Sequence, residues 1–128
     1  MKLLKKFKNG MNYLMKKLAK QKDPLDLEHA MHLIEHYKNK YKLMIEKSKE
    51  KIAKIGARRI PDTPRTSQYT VMTHCHSSVV TGILIEAKKQ GKDFRVINTE
   101  TQPRLQGRLT AKELMDVDLE VIHVVDSA

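Results

Sequence analysis

A chain of 128 residues is one domain by size, or one small domain with an appendage, and 40% apolar residues suffice for a modest core. The formal charge of +10 belongs to the first half: residues 1 to 60 carry 17 Lys/Arg against 6 Asp/Glu, and residues 61 to 128 carry 8 against 9. No apolar run is long enough for a transmembrane helix and no secretory signal opens the chain, which points to the cytoplasm, and the single cysteine excludes an internal disulfide.

Residues 2 to 21 place Leu4, Phe7, Met11, Leu14, Met15 and Leu18 at three- and four-residue spacing among lysines, the pattern of an amphipathic helix with Gly10 as its weak point. Its basic face reads as a solvated surface; the alternative is attachment to nucleic acid or a membrane surface through residues 1 to 22. Asp23-Pro24 breaks the pattern, and Asp26 can cap a longer helix with a seam of Leu27, Ala30, Ile34, Tyr37, Tyr41, Met44, Ser48, Ile52 and Ile55, which Gly56 should stop. That seam should pack on the first helix and on a partner. His29, His32 and His36 share one face of it, but without a carboxylate at HExxH spacing they read as surface or interhelical histidines rather than metal ligands.

Residues 57 to 68, rich in Pro and Thr, read as a linker. Beyond it the pattern alternates: strands at Tyr69 to His74, Phe94 to Thr99 and Glu120 to Val125, helices at Ser77 to Lys89 and Thr110 to Met115. Helices of this length between strands imply right-handed crossovers and a parallel sheet. The expected fold is therefore α/β: a basic helical region over 1–56, the linker over 57–68, and a truncated Rossmann-like layer of three strands over 69–128. Three parallel strands are few for a sheet covered on both faces, and an open edge near Val121, Ile122, Val124 and Val125 invites pairing. The chain is expected to self-associate as a homo-oligomer or to meet a complementary C-terminal chain.

The strongest chemical signal is Thr73-His74-Cys75-His76-Ser77-Ser78, where a strand gives way to a helix, the edge at which open α/β sheets bind ligands. Ser77 or Ser78 can cap the helix, whose free N–H groups favour a phosphate or a thiolate. His74 and His76 flank the thiol and could exchange protons with it, so Cys75 is either a general acid or base or a buried, inert residue. A zinc site is disfavoured because adjacent residues on one loop seldom converge on one ion. The loop from Asn98 to Arg108 opens on the same edge. Arg104 and Arg108 could pair with phosphate, and Gln106-Gly107 could offer an amide and a close backbone approach, or the loop could simply order the turn.

Gly56-Ala57-Arg58-Arg59-Ile60, Met72-Thr73-His74-Cys75-His76-Ser77, Thr99-Glu100-Thr101, Gln106-Gly107, Thr110-Ala111-Lys112-Glu113-Leu114 and Val124-Val125-Asp126-Ser127-Ala128 occur in that order. Together they resemble the central part of ribose-1,5-bisphosphate isomerases, in a superfamily shared with methylthioribose-1-phosphate isomerases and the α, β and δ subunits of translation initiation factor 2B. Lys8-Asn9-Gly10-Met11-Asn12-Tyr13 resembles the family's helical N-terminal domain more loosely. The resemblance implies that Cys75 matches the catalytic thiol of an aldose–ketose isomerisation, and that Ser77 and Gln106 match substrate contacts. It implies a sugar phosphate ligand and no cofactor. Against the family pattern, Gln102 stands where Thr-Glu-Thr-Arg-Pro has arginine, and Pro61 to Gln68 is longer than the usual turn. The leading arginine-glycine turn is absent, and so are the Gly-Ala-Asp segment with the family's aspartate, for which Asp126 is no equivalent, and the Asn-Lys pair. The expected function is a truncated or split isomerase-like protein inactive alone; the alternative is a non-catalytic binding or regulatory protein like initiation factor 2B.

Overall fold

The computed structural model of the chain describes residues 2–20, 27–62 and 69–128, with side chains from residue 8 onward in the first stretch. The Asp23-Pro24 break, the Asp26 cap, linker residues 63–68 and the side chains of Leu4 and Phe7 lie outside the described residues. Two helices, α1 (Lys2–Leu18) and α2 (Leu27–Ala57), precede the series β1 (Tyr69–Thr73), α3 (Ser78–Lys89), β2 (Phe94–Thr99), α4 (Gln106–Met115) and β3 (Glu120–Val124). The chain divides into two compact units, Met1–Ser48 and Lys49–Ala128. No described helix is long and apolar enough to cross a membrane.

In the first unit α1 meets α2 through Tyr13, whose ring lies 5.1 Å from that of Tyr41. Gly10 is a contact rather than a flaw, because a Cβ there would stand 3.4 Å from the Tyr41 ring. Met11 stays exposed. Along α2 the half-buried stripe is Ala30, Leu33, Tyr37 and Tyr41, continued in the second unit by Ala53, Gly56 and Ala57. Ile34, Met44, Ile52 and Ile55 of the expected seam are exposed. Size explains the shift: Gly56 packs so closely that an added Cβ would lie 2.7 Å from the Ile83 side chain, a gap no isoleucine could fill. The helix ends one residue past Gly56, at Ala57.

The second unit is built on a three-stranded parallel sheet in the order β1-β2-β3. Register places Tyr69 beside Phe94 and Arg95 beside Glu120. Alternation then assigns one face to Val71, Phe94, Val96 and Val121. That face carries the core, where Phe94 and Val96 pack with Leu84 and Ala87 of α3, Leu114 of α4, Leu119, and Ala57 and Ile60. On the other face Met72 is 69% exposed and Ile122 37% exposed. Strands that add in sequence order, each through a right-handed crossover, put both helices on one side of the sheet, which is the arrangement seen. Lys92 lays its stem in the unit's side, 9% exposed, and its ammonium donates to the Ile60 carbonyl.

β2 spans the residues expected of it, and β1 and β3 each stop one residue early. The helix expected from Thr110 begins four residues sooner, at Gln106, after a left-handed Leu105 with φ 50°.

Candidate functional site

The parallel sheet opens its C-terminal edge between the β1–α3 turn, the β2–α4 loop and the residues after β3. Cys75 lies in the first turn with φ 68°, a left-handed conformation that costs a non-glycine residue about 1–2 kcal/mol. Two threonines hold it there. The Cys75 N–H donates to Thr101 Oγ1 at 2.9 Å, and Thr110 Oγ1 donates to the Cys75 carbonyl at 3.1 Å. With its backbone clamped on both sides, the partly exposed Sγ donates to Gln106 Oε1 at 2.9 Å. The turn at the end of β1 is thus strained and held in place from outside.

The two histidines divide their attention. His76 Nδ1 lies 3.1 Å from Thr110 Oγ1, whose proton already goes to the Cys75 carbonyl, so the imidazole donates; its Nε2 stands 3.8 Å from Glu113. His74 Nδ1 lies 2.6 Å from Thr99 Oγ1 on β2. Each ring is thus anchored on a threonine, and no described contact joins either ring to Sγ. Ser77 takes the N-cap position of α3 without a side-chain capping bond; its carbonyl instead accepts the Thr81 N–H at 2.9 Å. Ser77 remains exposed beside Cys75 in the turn.

The second loop is organised by Asp126, which follows β3. Its carboxylate accepts the N–H of Gln102 at 2.6 Å and of Thr101 at 2.8 Å. These donors, the Gln102 and Thr101 amides foremost, hold its pKa below the ordinary carboxylate value. Thr101 has φ 63°, so this is a second left-handed residue pinned from outside. Gly107 approaches backbone rather than ligand: a Cβ there would fall 1.7 Å from the Thr99 carbonyl oxygen. That proximity seats the first turn of α4 on the end of β2 and brings Gln106 to the thiol. Arg104 and Arg108 stay exposed.

Of the residues singled out from sequence, Cys75 and Gln106 are in contact and Ser77 shares their edge. The clamps Thr99, Thr101 and Thr110 and the anchor Asp126 stand in the motifs quoted above, but sequence reading gives them no part in the site. Asn98, fully buried at this edge, accepts the His123 Nδ1–H on its Oδ1 at 2.8 Å while its Nδ2 has no described partner.

The model of the Initiation factor 2 subunit family matches residues 5–128. Over 103 residues the chain is 43% identical to a ribose 1,5-bisphosphate isomerase of Pyrococcus furiosus, covering 80% of this chain and 30% of that protein. Among solved structures it resembles a translation initiation factor eIF-2B from Pyrococcus horikoshii OT3, with TM-score 0.69 and 30% identity over 75% of this chain and 33% of that one. It also resembles the tetrameric eIF2B-beta2-delta2 complex from C. thermophilum, with TM-score 0.71 and 24% identity over 91% of this chain and 36% of that one, a likeness of fold alone. The chain spans less than a third of the length of the isomerase it matches.

Proposed function

Because this chain belongs to the initiation factor 2 subunit family, we propose that residues 69–128 form the thiol-bearing part of an aldose–ketose isomerase site for ribose 1,5-bisphosphate. Cys75 is the proton-transferring thiol, and Ser77 and Gln106 are contacts for the sugar phosphate. The observation that carries this reading is the clamped left-handed Cys75, held by Thr101 and Thr110 with its sulfur on Gln106, at the sheet edge where such folds take ligands. The isomerisation moves a hydrogen from C2 of the sugar to C1. A thiolate can take that proton and return it to the neighbouring carbon while a second group manages the proton on oxygen.

The same 128 residues are proposed to give no turnover by themselves. A bisphosphate brings several negative charges, and the nearest basic residues of the loop, Arg104 and Arg108, are exposed rather than converging on the thiol. Cations from a second copy or a complementary chain would complete the site, so the working form is a cytoplasmic assembly. In it residues 1–56 serve as a helical region and 69–128 as the Rossmann-like part.

The test is an isomerase assay on the purified 128-residue chain, alone and mixed with a polypeptide supplying the remainder of a related isomerase, with light scattering on each sample. Ribulose 1,5-bisphosphate should form only in the mixture and vanish with Cys75→Ala. A monomer that turns over alone overturns the need for assembly. A mixture that assembles, stays inactive and is indifferent to Cys75 favours the non-catalytic, initiation-factor-like reading instead.

A further inference from the structure

Within the first unit α2 carries a second stripe, beside the half-buried one. Met31, Ile34, Lys38, Tyr41, Ile45 and Ser48 follow one another at alternating steps of three and four, the heptad pattern of a coiled-coil seam, with Met31, Lys38 and Ile45 at a positions and Ile34, Tyr41 and Ser48 at d positions. Met31 is 63% exposed, Ile34 41% and Ile45 36%. Of the six only Tyr41 is half-buried, beside Tyr13 of α1. The stripe is about 27 Å long at 1.5 Å per residue. An apolar strip of that length, open on a lysine-rich helix, marks an interaction surface.

The two polar members of the seam are compatible with being covered. Ser48 Oγ donates to the Met44 carbonyl at 2.7 Å, so its proton is already placed. Lys38 Nζ lies 2.7 Å from Glu35 Oε1, at a flanking e position, which draws the ammonium toward the rim and leaves the methylene stem to line the seam.

Charge decides how a second copy would lie against it. Glu35 and Lys42 occupy successive e positions, both are exposed, and Lys42 has no partner among the described residues. In a parallel pair e positions meet g positions, here the uncharged Ala30, Tyr37 and Met44, and Lys38 would face Lys38 of the other copy. Turned antiparallel, a positions face d positions and e faces e. Ile34 then meets Ile45 of the second copy, Met31 meets Ser48, and Lys38 meets the Tyr41 ring, a favourable partner for an ammonium. Glu35 stands opposite Lys42 twice over, once on each side of the two-fold axis.

From this match we infer that α2 is a self-association surface, at which two copies of the chain form an antiparallel coiled coil centred between Asn39 and Lys40 and fixed in direction by the Glu35–Lys42 pairs. The occupant is a second copy because the seam is complementary to itself: each apolar layer and each ion pair is matched about the same centre, a symmetry that an unrelated partner would not require. The interface uses residues 31–48 and no residue of the Cys75 edge, so it goes beyond the isomerase reading and does not depend on it.

Sedimentation equilibrium of the 128-residue chain tests this, at about 0.15 M salt, where repulsion between two basic units is screened beyond about 8 Å. Wild type should associate to a dimer. Glu35→Lys and Lys42→Glu each turn two attractive pairs into repulsive ones, and each alone should weaken association about tenfold. An equimolar mixture of the two variants places lysines opposite glutamates at both pairs and should recover the wild-type affinity as a heterodimer. Should a reversal fail to fold, Ile34→Gln is the substitute, an exposed position at which association should fall by at least the same factor. A wild-type chain that stays monomeric at its highest soluble concentration overturns the proposal. So does a dimer indifferent to these variants, as one formed through the sheet edge would be. Weakening by both reversals without recovery in the mixture overturns the antiparallel pairing.

Discussion

Gly107→Ala is the substitution that tests the site's construction most directly. The added Cβ would sit 1.7 Å from the Thr99 carbonyl oxygen and 2.8 Å from its carbon, both backbone atoms that no rotamer can move aside. Since real Cβ atoms essentially never come closer than 3.0 Å, the first turn of α4 must retreat by at least about 1.3 Å, the difference between the two distances. Overpacking of this kind costs about 3 kcal/mol. The retreat also stretches the Gly107 N–H bond to the Glu100 carbonyl, 3.1 Å, and the Thr110 bond to the Cys75 carbonyl, also 3.1 Å, at about 1 kcal/mol each. Replacing a helical glycine returns about 1 kcal/mol. The net expectation is a loss of about 4 kcal/mol, a large share of the 5–15 kcal/mol typical of a domain. Urea unfolding followed by circular dichroism measures it. Gly82→Ala in α3 is the control: its Cβ would meet only the Ala53 Cβ at 4.0 Å, and it should stabilise by about 0.5–1 kcal/mol. If Gly107→Ala unfolds within 1 kcal/mol of wild type, the close seating of α4 on β2 is wrong, and with it the account of how Gln106 reaches the thiol.

Leu84, 2% exposed in the core, should lose about 3 kcal/mol on truncation to Ala, whereas Ile52→Ala should cost under about 1 kcal/mol; comparable losses in urea unfolding would restore the expected seam of α2. Lys92→Met keeps the aliphatic stem but strips the Ile60 carbonyl of its donor, and a calorimetric loss of about 1–3 kcal/mol is expected. Asp126 has a depressed pKa, so its contribution to stability is complete above the ordinary aspartate value of about 3.9 and disappears as pH falls through the lower folded value. Acidification from pH ~6 to pH ~3 should therefore destabilise wild type more than Asp126→Asn; equal losses would remove Asp126 as the anchor of the loop.

The strands were legible because β-branched residues and alternation fall where the pleat requires them: Phe94, Val96 and Asn98 inward, Arg95 and Ile97 outward. The stripe of α2 was legible in part, through Ala30, Tyr37 and Tyr41 of the expected seam. Ile34, Met44, Ile52 and Ile55 have helical spacing as good and yet are exposed, and near Ile52 and Ile55 the close packing of Gly56 on Ile83 decides which side is buried. The early start of α4 was hidden by Pro103 and by the left-handed Leu105, where no glycine advertises the conformation. Cys75 conceals itself in the same way: its φ of 68° is imposed by threonines 26 and 35 residues away in sequence, and no local pattern encodes such a constraint. Cys75, Ser77 and Gln106 could be named because motif chemistry marks them, whereas Thr99, Thr101 and Asp126 become visible only once strands are set side by side.

That setting has a rhythm. Tyr69 pairs with Phe94 and Arg95 with Glu120, in each case 25 residues on, and His74 to Thr99 and Thr101 to Asp126 keep the same separation. Because spatial order repeats sequence order, the sheet can grow by accretion as the polypeptide leaves the ribosome, each new strand finding its neighbour in the one just made. The thiol is synthesised early but restrained late. Its amide waits for Thr101, and Thr101 in turn waits for Asp126, which emerges after all three strands. A nascent chain halted before that aspartate would carry Cys75 on an unlatched turn, so the conformation of the turn is settled by residues made some fifty positions after it.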